Sequence, residues 1–180
     1  MRLIAAIFFI LLVTPLSAFT FADDSLSTQY RLASGDTIKV LVYDESDLTV
    51  EAQIDDSGTL NYPFLGKLKV KGLTVGELQT LIHKGLLGDY LINPKVLVSI
   101  VEYRQFFISG EVERPGGFPF LPGLTVGKAV SLAEGLTERA NKKAIYIVSD
   151  DDEATAKPRR VRLSSPVKPG DIITIEQSFF

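Results

Sequence analysis

The chain has 180 residues, of which 46% are hydrophobic and 23% charged, and its formal net charge is −3. This composition is typical of a globular protein and too apolar for a disordered one. The chain has no Cys and one His, which excludes thiol catalysis, disulfides and a metal site with several His ligands from one chain. Its mild acidity also lacks the clustered basic charge that nucleic-acid binding requires, so we expect no nucleic-acid partner.

Residues 1–22 have the pattern of a secretory signal peptide. Arg2 supplies a positive start, and an apolar or small run from Leu3 to Val13 follows. This run is too short for a membrane-spanning helix, which needs about 20 residues. We predict cleavage after Ala22, with Ala18 as the alternative position. A buried N-terminal helix or an uncleaved anchor is the other interpretation of this segment.

Apolar residues alternate with other residues along most of the remaining chain, which predicts β-strands. The turn residues Asp55–Gly58 separate two of these strands, so we predict that 49–54 and 59–64 form a hairpin. The predicted strands are 38–42, 49–54, 59–64, 96–100, 105–112, 144–148, 159–163 and 171–176.

Two helices interrupt the predicted strands, and each begins at a Thr. Thr74 and Glu77 have the spacing of a capping box, and Gly88 suits the end of this helix. Thr125 begins the second helix, which we expect to stop at Gly135. Helical spacing predicts the residues that face the core: Val75, Leu78, Leu81, Ile82 and Leu86 in the first helix, and Val126, Ala129, Val130 and Ala133 in the second.

The sequence that leads into the first helix recurs before the second helix. Residues Gly72–Gly76 read GLTVG, and the same five letters occupy Gly123–Gly127. We therefore predict an α+β fold made of two small units, 23–102 and 103–180, each a short sheet with one helix packed on it. No Gly- or Ser-rich linker separates the two units, so we expect them to be firmly docked.

The charged residues do not form a recognisable catalytic or metal-binding motif. Asp150–Glu153 is an acidic cluster that could bind a divalent cation, but four consecutive acids favour a solvated hairpin tip. The basic residues of 157–162 favour a soluble edge strand over a contact with an anionic polymer. His83 is expected at the surface. We predict no catalytic residue, no bound metal and no cofactor.

Ordered motifs along the chain resemble those of the outer-membrane polysaccharide export proteins of Gram-negative bacteria. Residues 30–40, YRLASGDTIKV, are similar to the start of that family's export domain, and the later motifs follow in the family's order. The second unit resembles a soluble-ligand-binding β-grasp (SLBB) domain. The matching positions, which we expect to be structural or interfacial, are Tyr30, Gly35, Asp36, Gly58, Pro63, Gly66, Thr74 and Pro94 in the first unit, and Gly110, Pro115, Gly116, Thr125, Gly170 and Asp171 in the second.

The resemblance implies a non-enzymatic role in exporting a capsular polysaccharide or exopolysaccharide. Members of this family form a ring at the outer membrane through which the polymer leaves the periplasm. The implied partners are other copies of the same chain, the polysaccharide, and an inner-membrane polysaccharide co-polymerase or chain-length regulator. The edge strands and the loop 111–118 are the expected contact surfaces.

The chain departs from the larger relatives in three respects. Phe19 stands where lipidation would require Cys, no amphipathic helix follows the last strand, and only one β-grasp copy is present. We therefore expect a periplasmic, non-lipidated protein that associates with the outer membrane by docking on a separate β-barrel protein.

Two other functions stay open at this stage. The β-grasp unit could capture a saccharide as a monomeric periplasmic binding module. A more remote alternative is a carbohydrate-active enzyme that uses a pair of carboxylates, whose separation in space the sequence does not reveal.

Overall fold

The computed structural model describes residues 30–149 and 157–178. Within them the chain forms two helices and three β-sheets, which confirms the predicted α+β class. The buried apolar side chains fall into two separate clusters. One cluster draws its members from 32–98 and the other from 106–175.

The first cluster is covered by a three-stranded antiparallel sheet, a separate hairpin and one helix. The sheet has the strand order β2-β1-β5, and strands β3 and β4 pair only with each other. Helix α1 packs on β5. The elements are β1 (Thr37–Val42), a 3₁₀ turn (Ser46–Leu48), β2 (Val50–Gln53), β3 (Thr59–Tyr62), β4 (Gly66–Lys69), α1 (Val75–Leu86) and β5 (Val96–Glu102).

The second cluster lies between a five-stranded mixed sheet and one helix. The strand order is β7-β6-β10-β8-β9, so the last strand of the chain lies in the middle of the sheet. Strand β10 runs parallel to β6 and antiparallel to β8. The elements are β6 (Phe106–Gly110), β7 (Gly116–Phe118), α2 (Val126–Leu132), β8 (Ala140–Val148), β9 (Arg159–Val161) and β10 (Ile172–Gln177).

The predicted hairpin between 49–54 and 59–64 is wrong. The turn itself forms, since the Asp55 N–H donates to the Thr59 carbonyl at 3.1 Å. However, β2 pairs with β1, whereas β3 pairs with β4, a strand that the alternation of apolar residues did not predict. The Val70 and Lys71 N–H groups both donate to the Gly58 carbonyl, which directs the chain after the turn toward β4.

Both helices begin where the sequence predicts. Thr74 caps α1 in a complete capping box, and the Thr125 hydroxyl accepts a bond from the Lys128 N–H. All four residues predicted to face inward from α2 are buried. In α1 the prediction is wrong for Leu81, which is 40% exposed because it lies at the margin of the apolar stripe formed by Leu78, Ile82 and Leu86.

The repeated segment before each helix accepts an equivalent backbone hydrogen bond in both regions. The Leu32 N–H donates to the Leu73 carbonyl at 2.8 Å, and the Val167 N–H donates to the Leu124 carbonyl at 3.0 Å. Both donors lie three residues before a Gly-Asp pair. The same substructure therefore occurs twice, but its Gly-Asp segment precedes the helix in the first region and follows it in the second.

Several predicted features lie wholly or partly outside the described residues. These include the signal peptide, its cleavage after Ala22 and the acidic cluster at 150–153. Strands β8 and β9 on either side of that cluster pair antiparallel, and β9 forms one edge of its sheet, with Arg159 and Arg160 exposed. His83 is half-buried, and its Nδ1 lies 2.9 Å from the Pro94 carbonyl oxygen, which corrects the expected surface position.

Candidate functional site

Two Gly-Asp turns of the same construction lie at the start of β1 and of β10. Gly35 and Gly170 have φ angles of +91° and +83°, a region that favours glycine. In each turn a carboxylate oxygen of the Asp accepts a bond from the N–H three residues earlier, at 2.9 Å for Asp36 and 2.8 Å for Asp171. Both Asp residues are buried. The carboxylates therefore close these turns internally, with no access for a substrate.

The Asp36 carboxylate also joins the two regions of the chain. Its Oδ1 atom accepts a hydrogen bond from the backbone N–H of Arg104 at 2.8 Å. The Tyr30 hydroxyl also donates to the Asp36 carboxylate, at 2.9 Å from Oδ1 and 2.7 Å from Oδ2. The Arg104 Nη1 atom donates to the Tyr30 hydroxyl oxygen at 2.7 Å and lies 3.7 Å from Asp36 Oδ2. We call Tyr30, Asp36 and Arg104 the junction cluster.

The junction cluster is protected from solvent. Asp36 is fully buried and Arg104 is 9% exposed. Burial, and secondarily the nearby Asp36 carboxylate, raises the pKa of Tyr30 well above its usual range. The phenol therefore stays protonated and donates a hydrogen bond to the carboxylate, while its oxygen accepts one from Arg104. Removing one partner from such a buried set leaves an uncompensated charge, which is strongly destabilising.

Aromatic rings extend this contact across the junction. The Tyr103 ring lies edge-on to Tyr30, with centroids 5.0 Å apart, and edge-on to Phe120, with centroids 5.4 Å apart. Burial, and secondarily Asp36, also raises the pKa of Tyr103. Because Tyr30 belongs to the first region and Phe120 to the second, these contacts connect the two regions side by side.

The second Gly-Asp turn holds the other side of the junction. The Gly170 N–H donates to the Gln105 carbonyl at 3.1 Å, and the Phe107 N–H donates to the Asp171 carbonyl at 2.8 Å. The segment 104–107 is therefore bonded to both Gly-Asp turns. Residues 104–107 thus contact both regions through backbone groups as well as side chains.

Of the residues predicted as site positions, five lie at this junction, and the others are distributed over both regions. Tyr30, Gly35, Asp36, Gly170 and Asp171 surround residues 104–107. The remainder have local structural roles. At Gly58 and Gly110 any side chain would come too close to another residue. Thr74 and Thr125 cap the two helices, and the carbonyl oxygen of Pro94 is hydrogen-bonded to His83. The others lie at the turns of the β3–β4 and β6–β7 hairpins: Pro63, Gly66, Pro115 and Gly116.

Arg104 and Tyr103 were not predicted as site residues, because in the sequence they mark only the boundary between the two units. Their signal was a large cationic and a large aromatic side chain beside a predicted boundary without any linker residues. Such residues between two docked units are candidates for contacts across the junction.

Comparisons with known proteins support the order of domains. The family model described as "Polysaccharide biosynthesis/export protein" matches residues 24–101, and the SLBB domain model matches 105–155. The chain carries an export domain followed by an SLBB domain. This confirms the resemblance that the sequence motifs indicate, and the junction cluster joins Tyr30 and Asp36 of the first matched segment to Arg104, which immediately precedes the second.

Similar proteins carry names from polysaccharide export. The exopolysaccharide production protein ExoF of Rhizobium meliloti (strain 1021) is 34% identical over 74% of this chain and 33% of its own length. The EPS I polysaccharide export outer membrane protein EpsA of Ralstonia nicotianae is 25% identical over 84% of this chain and 48% of its own. The polysialic acid transport protein KpsD of Escherichia coli is 26% identical over 56% and 18%. The chain thus spans half or less of the length of these relatives.

No helix within 30–149 and 157–178 is both long and apolar enough to cross a membrane. In the same ranges, no three His, Asp or Glu residues lie close enough together to hold a metal ion.

Proposed function

We propose that this protein is a non-enzymatic component of a machinery that exports a capsular polysaccharide or exopolysaccharide. In this proposal it acts in the periplasm at the outer membrane, after removal of residues 1–22 and without lipidation. Residues 23–102 form the export domain, and residues 103–180 form the SLBB domain. The ordered pair of matched domains and the names of the similar proteins support this role.

The junction cluster is the observation that carries the proposal beyond the family resemblance. A ring of identical subunits closes only when each subunit presents its two contact surfaces at a fixed angle. A flexible connection between the two domains would allow many angles and would favour open chains. The buried Asp36–Arg104 contact, together with the bonds of residues 104–107, supports a rigid subunit that forms or caps a ring conduit.

The outer face of the three-stranded sheet is one of the two surfaces through which we propose that neighbouring copies meet. Leu41 and Leu97 are directly paired across β1 and β5, and they are 39% and 57% exposed. Tyr43 continues this face with 61% exposure, and the Lys39–Glu51 ion pair lies beside it. An apolar centre with charges of both signs at its rim is typical of a protein contact surface.

Two further partners belong to the proposal. A separate outer-membrane β-barrel protein would receive the polymer, and an inner-membrane co-polymerase or chain-length regulator would deliver it. The polymer itself must bind weakly, because a conduit that held its cargo tightly would stop transport.

The function is tested by deleting the gene from the producing bacterium and measuring secreted polysaccharide. We expect secretion to fall strongly and the wild-type gene to restore it. Unchanged secretion after deletion would contradict the proposed function. Cleavage of purified polymer by the protein would instead support the carbohydrate-active enzyme, and a stable monomer that binds saccharide would support the binding module.

The ring contact is tested by chemical cross-linking in cells with matched variants. Leu97→Lys places a charge on the proposed contact face, whereas Leu121→Lys changes a side chain in the second region with the same 57% exposure. We expect Leu97→Lys alone to reduce the cross-linked multimers. Equal multimer formation in the wild type and both variants would argue against this contact face. Co-purification from detergent-solubilised outer membranes tests the barrel partner, and recovery of the protein alone would oppose it.

A further inference from the structure

The tip of the β3–β4 hairpin holds an exposed aromatic residue in an unfavourable backbone conformation. Phe64 has a φ angle of +63°, and the N–H of Leu65 donates to the carbonyl of Pro63 at 2.7 Å. This three-residue turn with a positive φ at its centre is rare and strained, and most strained for a bulky residue. Phe64 is nevertheless 66% exposed, so burial of its ring does not explain the strain.

The residues beside Phe64 hold the tip in place. Leu65 packs so closely against α1 that a Cβ atom on Gly85 would lie 2.8 Å from its Cδ1. Gly66, with a φ of +70°, then pairs with Tyr62 to begin β4. The turn therefore directs Leu65 toward the protein and Phe64 toward solvent. Strain kept in a fixed conformation is a feature of functional positions.

A second exposed ring lies beside Phe64. Tyr90 is 47% exposed, and its ring centroid is 5.1 Å from that of Phe64, with the two planes inclined at 42°. The loop that carries Tyr90 is held by backbone bonds, since the Leu91 N–H donates to Leu86 and the Gly88 N–H donates to Leu91. We call Phe64 and Tyr90 the aromatic pair. Two separate elements thus present two rings side by side to solvent.

We propose that the aromatic pair is a saccharide-stacking site that contacts the sugar rings of the transported polymer. A pyranose has an apolar face of C–H groups that stacks on an aromatic ring, and hydroxyl groups around its edge that need polar partners. Phe64 lines an open depression together with Val50 and Pro63, and the exposed side chain of Asn61 in this depression can bond such hydroxyls. The inference rests on the proposed function, because export supplies the polysaccharide.

The size and chemistry of the aromatic pair favour a sugar over a protein partner. A stable protein interface buries on the order of 1,000 Å² or more in total, and two half-exposed rings supply only a fraction of that. A sugar ring, by contrast, is of the same size as one aromatic side chain. The two inclined planes also suit a polymer whose successive sugar rings differ in orientation.

The strength of such a contact agrees with transport. One aromatic contact contributes about 1 kcal/mol, which corresponds to a few-fold change in affinity. A contact this weak slows diffusion of the polymer without holding it. Because stacking uses the apolar face of the sugar rather than its hydroxyl pattern, it also tolerates different sugars, as stacking does for nucleotide bases.

Nuclear magnetic resonance on the purified protein tests the site directly. The probes are oligosaccharides released by partial hydrolysis of the bacterium's own secreted polysaccharide, and maltohexaose as an unrelated glycan. Because stacking tolerates different sugars, we expect the aromatic signals of Phe64 and Tyr90 to shift with both probes, and those of Tyr43 to stay unchanged. Tyr43 is the matched control because it is 61% exposed on a different face.

Variants separate loss of the ring from loss of the fold. Phe64→Gly removes the ring and relaxes the positive φ, so we expect the thermal midpoint to be kept or raised while affinity falls about fivefold or more. Tyr90→Ala should lower affinity similarly, whereas Phe64→Tyr and Tyr43→Ala should retain it. No shift of the aromatic signals with either probe would overturn the inference. Unchanged affinity in Phe64→Gly would also overturn it. A change in oligomeric state without a change in affinity would overturn it as well and would indicate a protein contact instead.

The export experiment distinguishes this inference from the proposed function. If deletion of the gene abolishes secretion and Phe64→Gly with Tyr90→Ala restores it fully, the function stands and the saccharide site is wrong as a part of transport. If deletion leaves secretion unchanged, the proposed function fails, whatever the binding measurements show.

Discussion

The two Gly-Asp turns have the same local geometry but contact different parts of the molecule. In both, a glycine with positive φ precedes a buried Asp whose carboxylate bonds the N–H three residues earlier. The Asp36 carboxylate also contacts Tyr30, in the first matched domain, and Arg104, in the short segment between the two matched domains. Asp171, by contrast, contacts β6 through its backbone carbonyl, which accepts a hydrogen bond from the Phe107 N–H. One local motif therefore closes a turn in one region and joins two domains in the other.

The order of the elements explains this difference. In the first region the Gly-Asp turn leads into β1, and in the second it leads into β10 at the opposite end of the domain. Both turns nevertheless lie next to residues 104–107, where the chain passes from one domain to the other. Because the Gly-Asp turn comes at the start of the first region and near the end of the second, both turns lie at the same junction.

The largest effect is expected from Asp36→Ala. This change leaves the Arg104 guanidinium buried without its carboxylate, so we expect the free energy of unfolding to fall by about 3–5 kcal/mol. Urea unfolding followed by circular dichroism measures the loss. Asp171→Ala is the matched control, with an expected loss of about 1–3 kcal/mol for the turn hydrogen bond. Equal losses for the two variants would contradict the special role of Asp36.

Glycines with positive φ give the next comparison. At Gly110, where φ is +85°, a Cβ atom would lie 2.0 Å from the Ile175 carbonyl oxygen, so Gly110→Ala should cost about 3 kcal/mol. At Gly66, where φ is +70°, a Cβ would meet nothing within 4 Å, and Gly66→Ala should cost about 1 kcal/mol. Thermal unfolding of both variants tests this ranking. A larger loss at Gly66 would show that backbone strain outweighs the close contact.

The two helix caps provide a smaller difference. Thr74 and Glu77 form a reciprocal pair of bonds of 3.2 and 2.7 Å, whereas the Thr125 hydroxyl accepts one bond of 3.4 Å from Lys128. We expect Thr74→Ala to cost about 1 kcal/mol and Thr125→Ala about 0.5 kcal/mol. Thermal unfolding should rank them in this order. Restoration by Thr74→Ser would assign the effect to the hydroxyl.

The smallest effect concerns the turn after β2. Hydrogen bonds from the side chain of Ser57 and from Thr59 lower the pKa of Asp55 to about 2. Because folding lowers this pKa, the ionised Asp55 carboxylate stabilises the folded protein at neutral pH. This stabilisation is lost as the pH falls from about 4 toward 2. A carboxyl titration by nuclear magnetic resonance measures it. Ser57→Ala should raise the pKa of Asp55, and an unchanged value would show that the Ser57 hydroxyl does not stabilise the carboxylate.

Features that depend on neighbouring residues were predictable from the sequence. The helix starts follow from Thr and Glu at fixed spacing, and the buried face of α2 follows from helical periodicity. Most strands also follow from alternation, but β4 (GKLK) and β7 (GGF) do not, because each carries only one large apolar residue. Local chemistry alone therefore gave the class of fold.

Features that depend on distant partners were not predictable. The turn at Asp55 forms as expected, yet β2 pairs with β1, because register with β1 buries Val50 and Ala52 against the first core. Arg104 resembles a surface cation in the sequence, and only its contact with Asp36, 68 residues earlier, explains its burial. The strain at Phe64 also has no sequence signature, since it arises from a backbone angle.

The central position of β10 affects how the protein is made. Strands β6 and β8 leave the ribosome long before the strand that separates them, so both have an unpaired edge during synthesis. The first sheet, by contrast, is complete once residue 102 has emerged. A chain that folds from its N-terminus would therefore have one complete sheet and one sheet with aggregation-prone open edges until β10 joins it, and a chaperone would have most to protect in the second.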